Sequence, residues 1–225
     1  MKFGAALLPA LVVVLLASCS LTLAAQDLPR RDSRELSFWV SGGRGTTGST
    51  SDTGVLLAGM RYGWMLTRNH GPALLAGRFE YAVDAIPLFL VLQPQNAFGV
   101  AVSPVVLKWM FDCYSRDSRS RDHLSNGSQS GDRNRSDHNY GNHSRGFAPY
   151  AEATAGLLFS NHDVPSGSST VNFMPGVAVG IQFLGHRWNP NLAVRYMHIS
   201  NAGLAEPNPG INTVQLTLGL THIIR

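Results

Sequence analysis

His198 and Ser200 stand two residues apart in the run from Arg195 to Asn212, RYMHISNAGLAEPNPGIN. On an extended chain that spacing puts both side chains on one face, with an imidazole within reach of a hydroxyl. Serine is a weak nucleophile at neutral pH. A histidine that takes its proton during attack makes it competent toward an ester carbonyl. The oxyanion that forms needs donors already in place, and the loop residues Asn201-Ala202-Gly203 and Asn208-Pro209-Gly210 can supply amide groups. A plainer reading is open too: a lone His-x-Ser pair can end a strand, and Asn-Pro-Gly can make a turn.

Such a pair needs a strand to carry it, and the surrounding chain alternates with period two. Leu192, Val194, Tyr196 and His198 fall on one face, Ala193, Arg195 and Met197 on the other. Val214, Leu216, Leu218 and Leu220 alternate with Thr213, Gln215, Thr217 and Thr221 in the same way, with Gly219 in the polar set. Similar patterns predict strands at 36–44, 54–68, 73–92, 98–111, 148–160, 171–184, 188–200 and 212–224. One face of these strands is bulky and apolar. The other holds isolated Arg, Glu, Gln, Thr and Gly. Parity alone does not separate inward from outward, so a soluble barrel with an apolar interior shares the pattern. An apolar exterior with a small polar lumen suits these faces better, since eight strands leave little internal room. The expected fold is all-β, an eight-stranded antiparallel transmembrane β-barrel.

Composition agrees. Charged residues make up only 14% of the 225, against 44% hydrophobic, which is little charge for a soluble surface. No central apolar run approaches the roughly 20 residues of a membrane helix, which excludes a polytopic helical protein. The formal net charge of +4 comes from arginine, 16 of the 18 basic residues. Two cysteines exclude a disulfide-rich scaffold, and no HxxxH or HExxH spacing suggests a metal site.

Lys2 precedes an apolar run from Ala5 to Ala17 and then small residues, the order of a secretory signal. Leu16-Ala17-Ser18-Cys19 fits a lipidation site, and cleavage after Ala25 fits an ordinary signal peptidase. The second gives a signal peptide at 1–25 and a barrel at 26–225. Export argues against a nucleic-acid partner. Residues 112–146 hold six Arg, five Asp, three His and eight Ser, with Leu124 the single aliphatic residue. That composition predicts a disordered polar insert.

With its context, the motif H-x-S-N-A-G followed by P-N-x-G resembles the outer-membrane lipid A 3-O-deacylase (PagL, acyloxyacyl hydrolase-like) family. The resemblance is dense over 195–212 and looser elsewhere, including Pro149-Tyr150-Ala151-Glu152. It implies a serine esterase of the bacterial outer membrane that removes the 3-O-linked acyl chain of lipid A. Ser200 would be the nucleophile and His198 its base, with Asn201, Gly203 and Asn208 supporting the oxyanion. It implies no cofactor or metal. The partners it implies are lipid A or lipopolysaccharide and outer-membrane lipid, with a homodimer allowed. The family carries an acid, usually Glu, where this chain has Asn212. That position shares parity with Val214 and Leu216, so Asn212 is the expected orienting residue and Glu206 the fallback acid. The alternative is a non-catalytic structural or lipid-binding barrel that has lost the acid. With a periplasmic N-terminus the site falls at outer-leaflet level, and the 112–146 insert on the opposite side.

Overall fold

A computed structural model describes residues 29, 31–46, 52–72, 75–112, 146–184 and 188–224. The signal peptide expected at 1–25 and nearly all of the 112–146 insert lie outside the described residues. The strands are β1 (Arg34–Gly45), β2 (Gly54–Met65), β3 (Gly77–Leu92), β4 (Ala97–Phe111), β5 (Gly146–Ser160), β6 (Val171–Phe173), β7 (Gly176–Leu184), β8 (Trp188–Ile199) and β9 (Ile211–Ile224). Consecutive strands pair antiparallel except β6 and β7, both of which pair with β5, and β9 returns to β1. β6 and β7 together form one stave, so the ring is a closed up-and-down barrel of eight. Closure removes every free sheet edge, which is what a chain crossing hydrocarbon on strands requires.

The stave expected over 171–184 is interrupted at Met174-Pro175. Proline lacks the amide that a ladder needs and is confined to edges and bulges. Two more ladder shifts enclose prolines: the pairing slips between Ile86 and Phe89 around Pro87, and between Val102 and Val105 around Pro104.

The apolar faces point outward. Val40 is 51% exposed and Leu216 is 53% exposed, while their neighbours Ser41 and Gln215 are each 1% exposed. A soluble barrel would reverse this, so the exterior is a lipid-facing belt. In the lumen Arg61 makes a two-bond contact with Asp84, at 2.7 and 2.9 Å, and also reaches Glu152. Arg195 joins Glu152 at 3.1 Å, and Lys108 sits between Glu35 at 3.0 Å and Glu80 at 2.9 Å. Each buried charge therefore faces an opposite one, as burial demands. Small residues make the room: a Cβ on Gly59 would come within 2.6 Å of the Trp39 ring, and one on Gly180 within 2.6 Å of the Tyr150 ring.

The two ends differ. Beneath the 200–210 connection the lumen is filled by an apolar cluster that includes Trp39, Leu57, Phe89, Met174, Met197, Ile199 and Ile211. At the other end, near the first residues of β1 and the last of β9, aromatic rings meet around the outside. Trp64 contacts Tyr62 at 4.8 Å and Tyr81 at 5.8 Å between centroids, and Trp188 contacts Phe38 at 6.1 Å and His222 at 5.1 Å. Such rings settle at a membrane–water interface. β4 ends and β5 begins at this same end, so the insert leaves the barrel opposite the 200–210 connection.

Candidate active site

β8 and β9 run antiparallel with His198 directly opposite Asn212. Directly opposed residues project to the same side of a sheet, and alternation makes that side the outer one. The His198 ring lies between two partners, with Nδ1 2.7 Å from Asn212 Oδ1 and Nε2 3.0 Å from Ser200 Oγ. If Nδ1 carries the proton, it donates to the Asn212 carbonyl oxygen and leaves Nε2 to accept from the serine hydroxyl. That is the tautomer a general base needs.

Ser200 lies just past β8 and is held by β6. Its amide donates to Phe173 O at 3.1 Å, and its carbonyl accepts from Phe173 N at 2.7 Å. The His198 amide donates to Pro175 O at 2.9 Å. The interruption of the sixth stave is thus what grips the strand end bearing the histidine and serine.

The loop after Ser200 is bound to itself. Asn201 is fully buried, and its side chain donates to Ala205 O at 2.8 Å and to Ser168 Oγ at 3.1 Å while accepting from Gly203 N at 2.8 Å. The Asn201 amide donates to Asn208 Oδ1 at 3.2 Å. The amides of Ser200, Asn201 and Gly203 are therefore all engaged within the protein. Asn208, with its oxygen fixed on that amide, retains a side-chain NH2 as a donor.

At Gly210 the backbone has φ 63°, and a Cβ would lie 2.9 Å from His198 Cε1. Positive φ and close approach both require glycine there, and the backbone forms a wall against the imidazole.

The structure brings His198, Ser200 and Asn212 together and puts Asn201, Gly203 and Asn208 in the adjoining loop. Glu206 is exposed in that loop, and no contact joins it to His198. Tyr150 and Glu152, part of the looser resemblance, line the lumen instead. Two participants escaped the sequence reading. Tyr196, read only as a lipid-facing residue, donates from its hydroxyl to Asn212 Oδ1 at 2.9 Å. Ser168, from the 161–170 loop, ties down Asn201. The spacing of Tyr196, two residues before His198 on the same face, was the available signal for the first. None existed for the second, which lies 33 residues away.

Residues 138–221 match the family of lipid A 3-O-deacylases known as PagL. The chain is similar to the lipid A deacylase PagL of Bordetella bronchiseptica, with 41% identity over 69 residues. That match covers 30% of this chain and spans 38% of the relative's length. The fold is similar to the crystal structure of the outer membrane enzyme PagL, with a TM-score of 0.53 and 18% identity. That similarity covers 81% of this chain and 97% of the other.

Proposed function

We propose that the chain is a lipid A 3-O-deacylase of the PagL type, whose family model matches residues 138–221, and that it hydrolyses the ester-linked acyl chain at the 3-position of lipid A in the outer leaflet. The observation that carries this reading is the His198 imidazole bridging Ser200 and Asn212 on the outer face of the barrel. The polar lumen is closed beneath the site by the apolar cluster, so an acyl ester reaches Ser200 from the membrane side.

Ser200 Oγ attacks the ester carbonyl as its proton passes to His198 Nε2. The tetrahedral oxyanion is received by the loop, with Asn208 NH2 as donor and Asn201 and Gly203 holding the loop's shape. Collapse breaks the bond to the sugar oxygen, which takes the proton from His198. Water then attacks the acyl-serine with His198 again as base, freeing a 3-hydroxy fatty acid. Asn212 orients the imidazole throughout but does not neutralise the imidazolium. In a serine protease, Asp to Asn costs about 10⁴ in rate because the imidazole is held in the wrong tautomer; here the Asn212 oxygen faces Nδ1, so the missing charge alone lowers the rate, by less than that.

A second reading is favoured by that same residue: a barrel that holds lipid without cleaving it. Mass spectrometry of lipid A from cells with and without the protein separates the two. The expected result is loss of one 3-hydroxyacyl group with the wild type and none with Ser200→Ala or His198→Ala, both variants still assembling as heat-modifiable barrels. Unchanged lipid A with the wild type, under conditions where a Glu-bearing relative is active, selects the non-catalytic barrel.

A further inference from the structure

Among the described strand residues facing outward, only Arg34 and Arg44 carry a formal charge. Both are on β1, one at each end of the barrel. Arg34 pairs in register with Trp64 and Ile224, at the end ringed by aromatics. Arg44 lies at the site end, exposed, in register with Val214 on one side and Gly54 on the other. Val214 is in turn opposite Tyr196. Arg44 therefore shares a row with Tyr196, two strand spacings or about 10 Å away, one step below the row of His198 and Asn212.

An outward arginine in this position is costly unless something answers it. Hydrocarbon penalises an unpaired guanidinium by several kcal/mol, and no carboxylate forms an ion pair with Arg44 among the described residues. At the rim the side chain reaches the headgroup layer, where the abundant anion is phosphate. A planar guanidinium binds phosphate through two parallel hydrogen bonds, which also fixes orientation. The opposing Gly54 has no side chain to cover that flank.

We propose that Arg44 is a substrate-recognition residue that binds a phosphate on the sugar headgroup of the acylated lipid while Ser200 reaches its ester. The proposal rests on the deacylase reading and adds to it a requirement for an anionic headgroup. The phosphate belongs to the lipid being cleaved and not to its neighbours.

The test uses the full-length barrel in zwitterionic micelles, with phosphorylated and enzymatically dephosphorylated lipid A supplied separately. Two quantities are measured: the ratio of kcat/KM for the two lipids, and the binding of each to the Ser200→Ala variant. Wild type is expected to favour the phosphorylated lipid by about tenfold, as one charged contact allows. Arg44→Gln should bring that ratio close to one, and Arg44→Lys should keep part of it. Adding an anionic lipid that is not a substrate should not restore the ratio in Arg44→Gln. A wild type indifferent to the phosphate overturns the proposal, as does a ratio unchanged in a folded Arg44→Gln. If neither lipid is cleaved, the deacylase reading fails. Binding to Ser200→Ala then still decides the role of Arg44, since phosphate-selective binding that Arg44→Gln abolishes upholds it and unselective binding refutes it.

Discussion

Asn212 accepts from His198 at 2.7 Å, so the proposed three-membered relay has its geometry but carries no negative charge at its third member. A carboxylate would offer an oxygen whichever way it turned. A carboxamide has a wrong end: if its NH2 faced Nδ1, the imidazole proton would have to sit on Nε2 and the base would be lost. The Tyr196 hydroxyl on the same Asn212 oxygen holds that oxygen in place. Asn212→Glu should raise kcat at least about tenfold by stabilising the imidazolium, whereas Glu206→Gln should leave it nearly unchanged. Tyr196→Phe should lower kcat with little effect on KM, and that loss should shrink in the Asn212→Glu background. Steady-state kinetics on the four proteins of this double-mutant cycle measure the coupling. Equal losses in both backgrounds would mean that Tyr196 only packs.

The strands themselves were legible because period two with one bulky face survives at single-residue resolution. Seven of the eight expected staves appear as continuous strands. The third starts at Gly77, four residues later than expected, and the second ends at Met65, before the expected Leu66 to Arg68. The interruption at Met174-Pro175 was hidden because outward parity continues through it: Val171, Phe173, Pro175 and Val177 are all exposed. Pairing partners were equally hidden. Arg61 and Glu152 are 91 residues apart, and nothing in the local pattern of either names the other. The site was more legible because its chemistry is concentrated in one strand end and one loop. At the other end of the barrel, Asp112 is tied into the 66–76 connection through its amide on Ala76 O and its carboxylate on Asn69. Removing 113–145 and joining Asp112 to Gly146 with a short Gly/Ser turn should therefore leave heat-modifiable assembly and lipid A deacylation unchanged. Failure to assemble would make the insert structural.

At the scale of the whole barrel, charge pairs hold the middle of the lumen, while an apolar cluster fills it beneath the site. Glu152 bridges Arg61 from β2 and Arg195 from β8, linking staves that are not neighbours in the wall. Arg195 also lies over the Trp39 ring at 4.9 Å, where polar middle meets apolar cluster. Breaking a buried pair from one side costs more than the pair contributes, because a bare charge stays behind. Glu152→Gln is expected to destabilise the barrel by about 3 kcal/mol. The readout is a lower temperature for the shift between compact and unfolded bands in a heat-modifiability gel. An unchanged transition would show that Asp84 alone satisfies Arg61 and that Arg195 needs only the ring.

The His198 and Ser200 side chains lie on the outer side of the barrel wall, above the apolar belt, and the aromatic residues at the far end fix their height. Under the proposed function, such a site meets its substrate by lateral diffusion in a plane, so the governing quantity is mole fraction in the surface and not molarity in the bulk. Diluting the whole suspension with buffer should leave the turnover per enzyme unchanged. Diluting the lipid within its own micelle with inert detergent, at constant bulk concentration, should slow turnover in proportion once the surface is no longer saturated. A rate that followed bulk molarity would mean that the lipid arrives through water, as it would for a site facing a solvent channel.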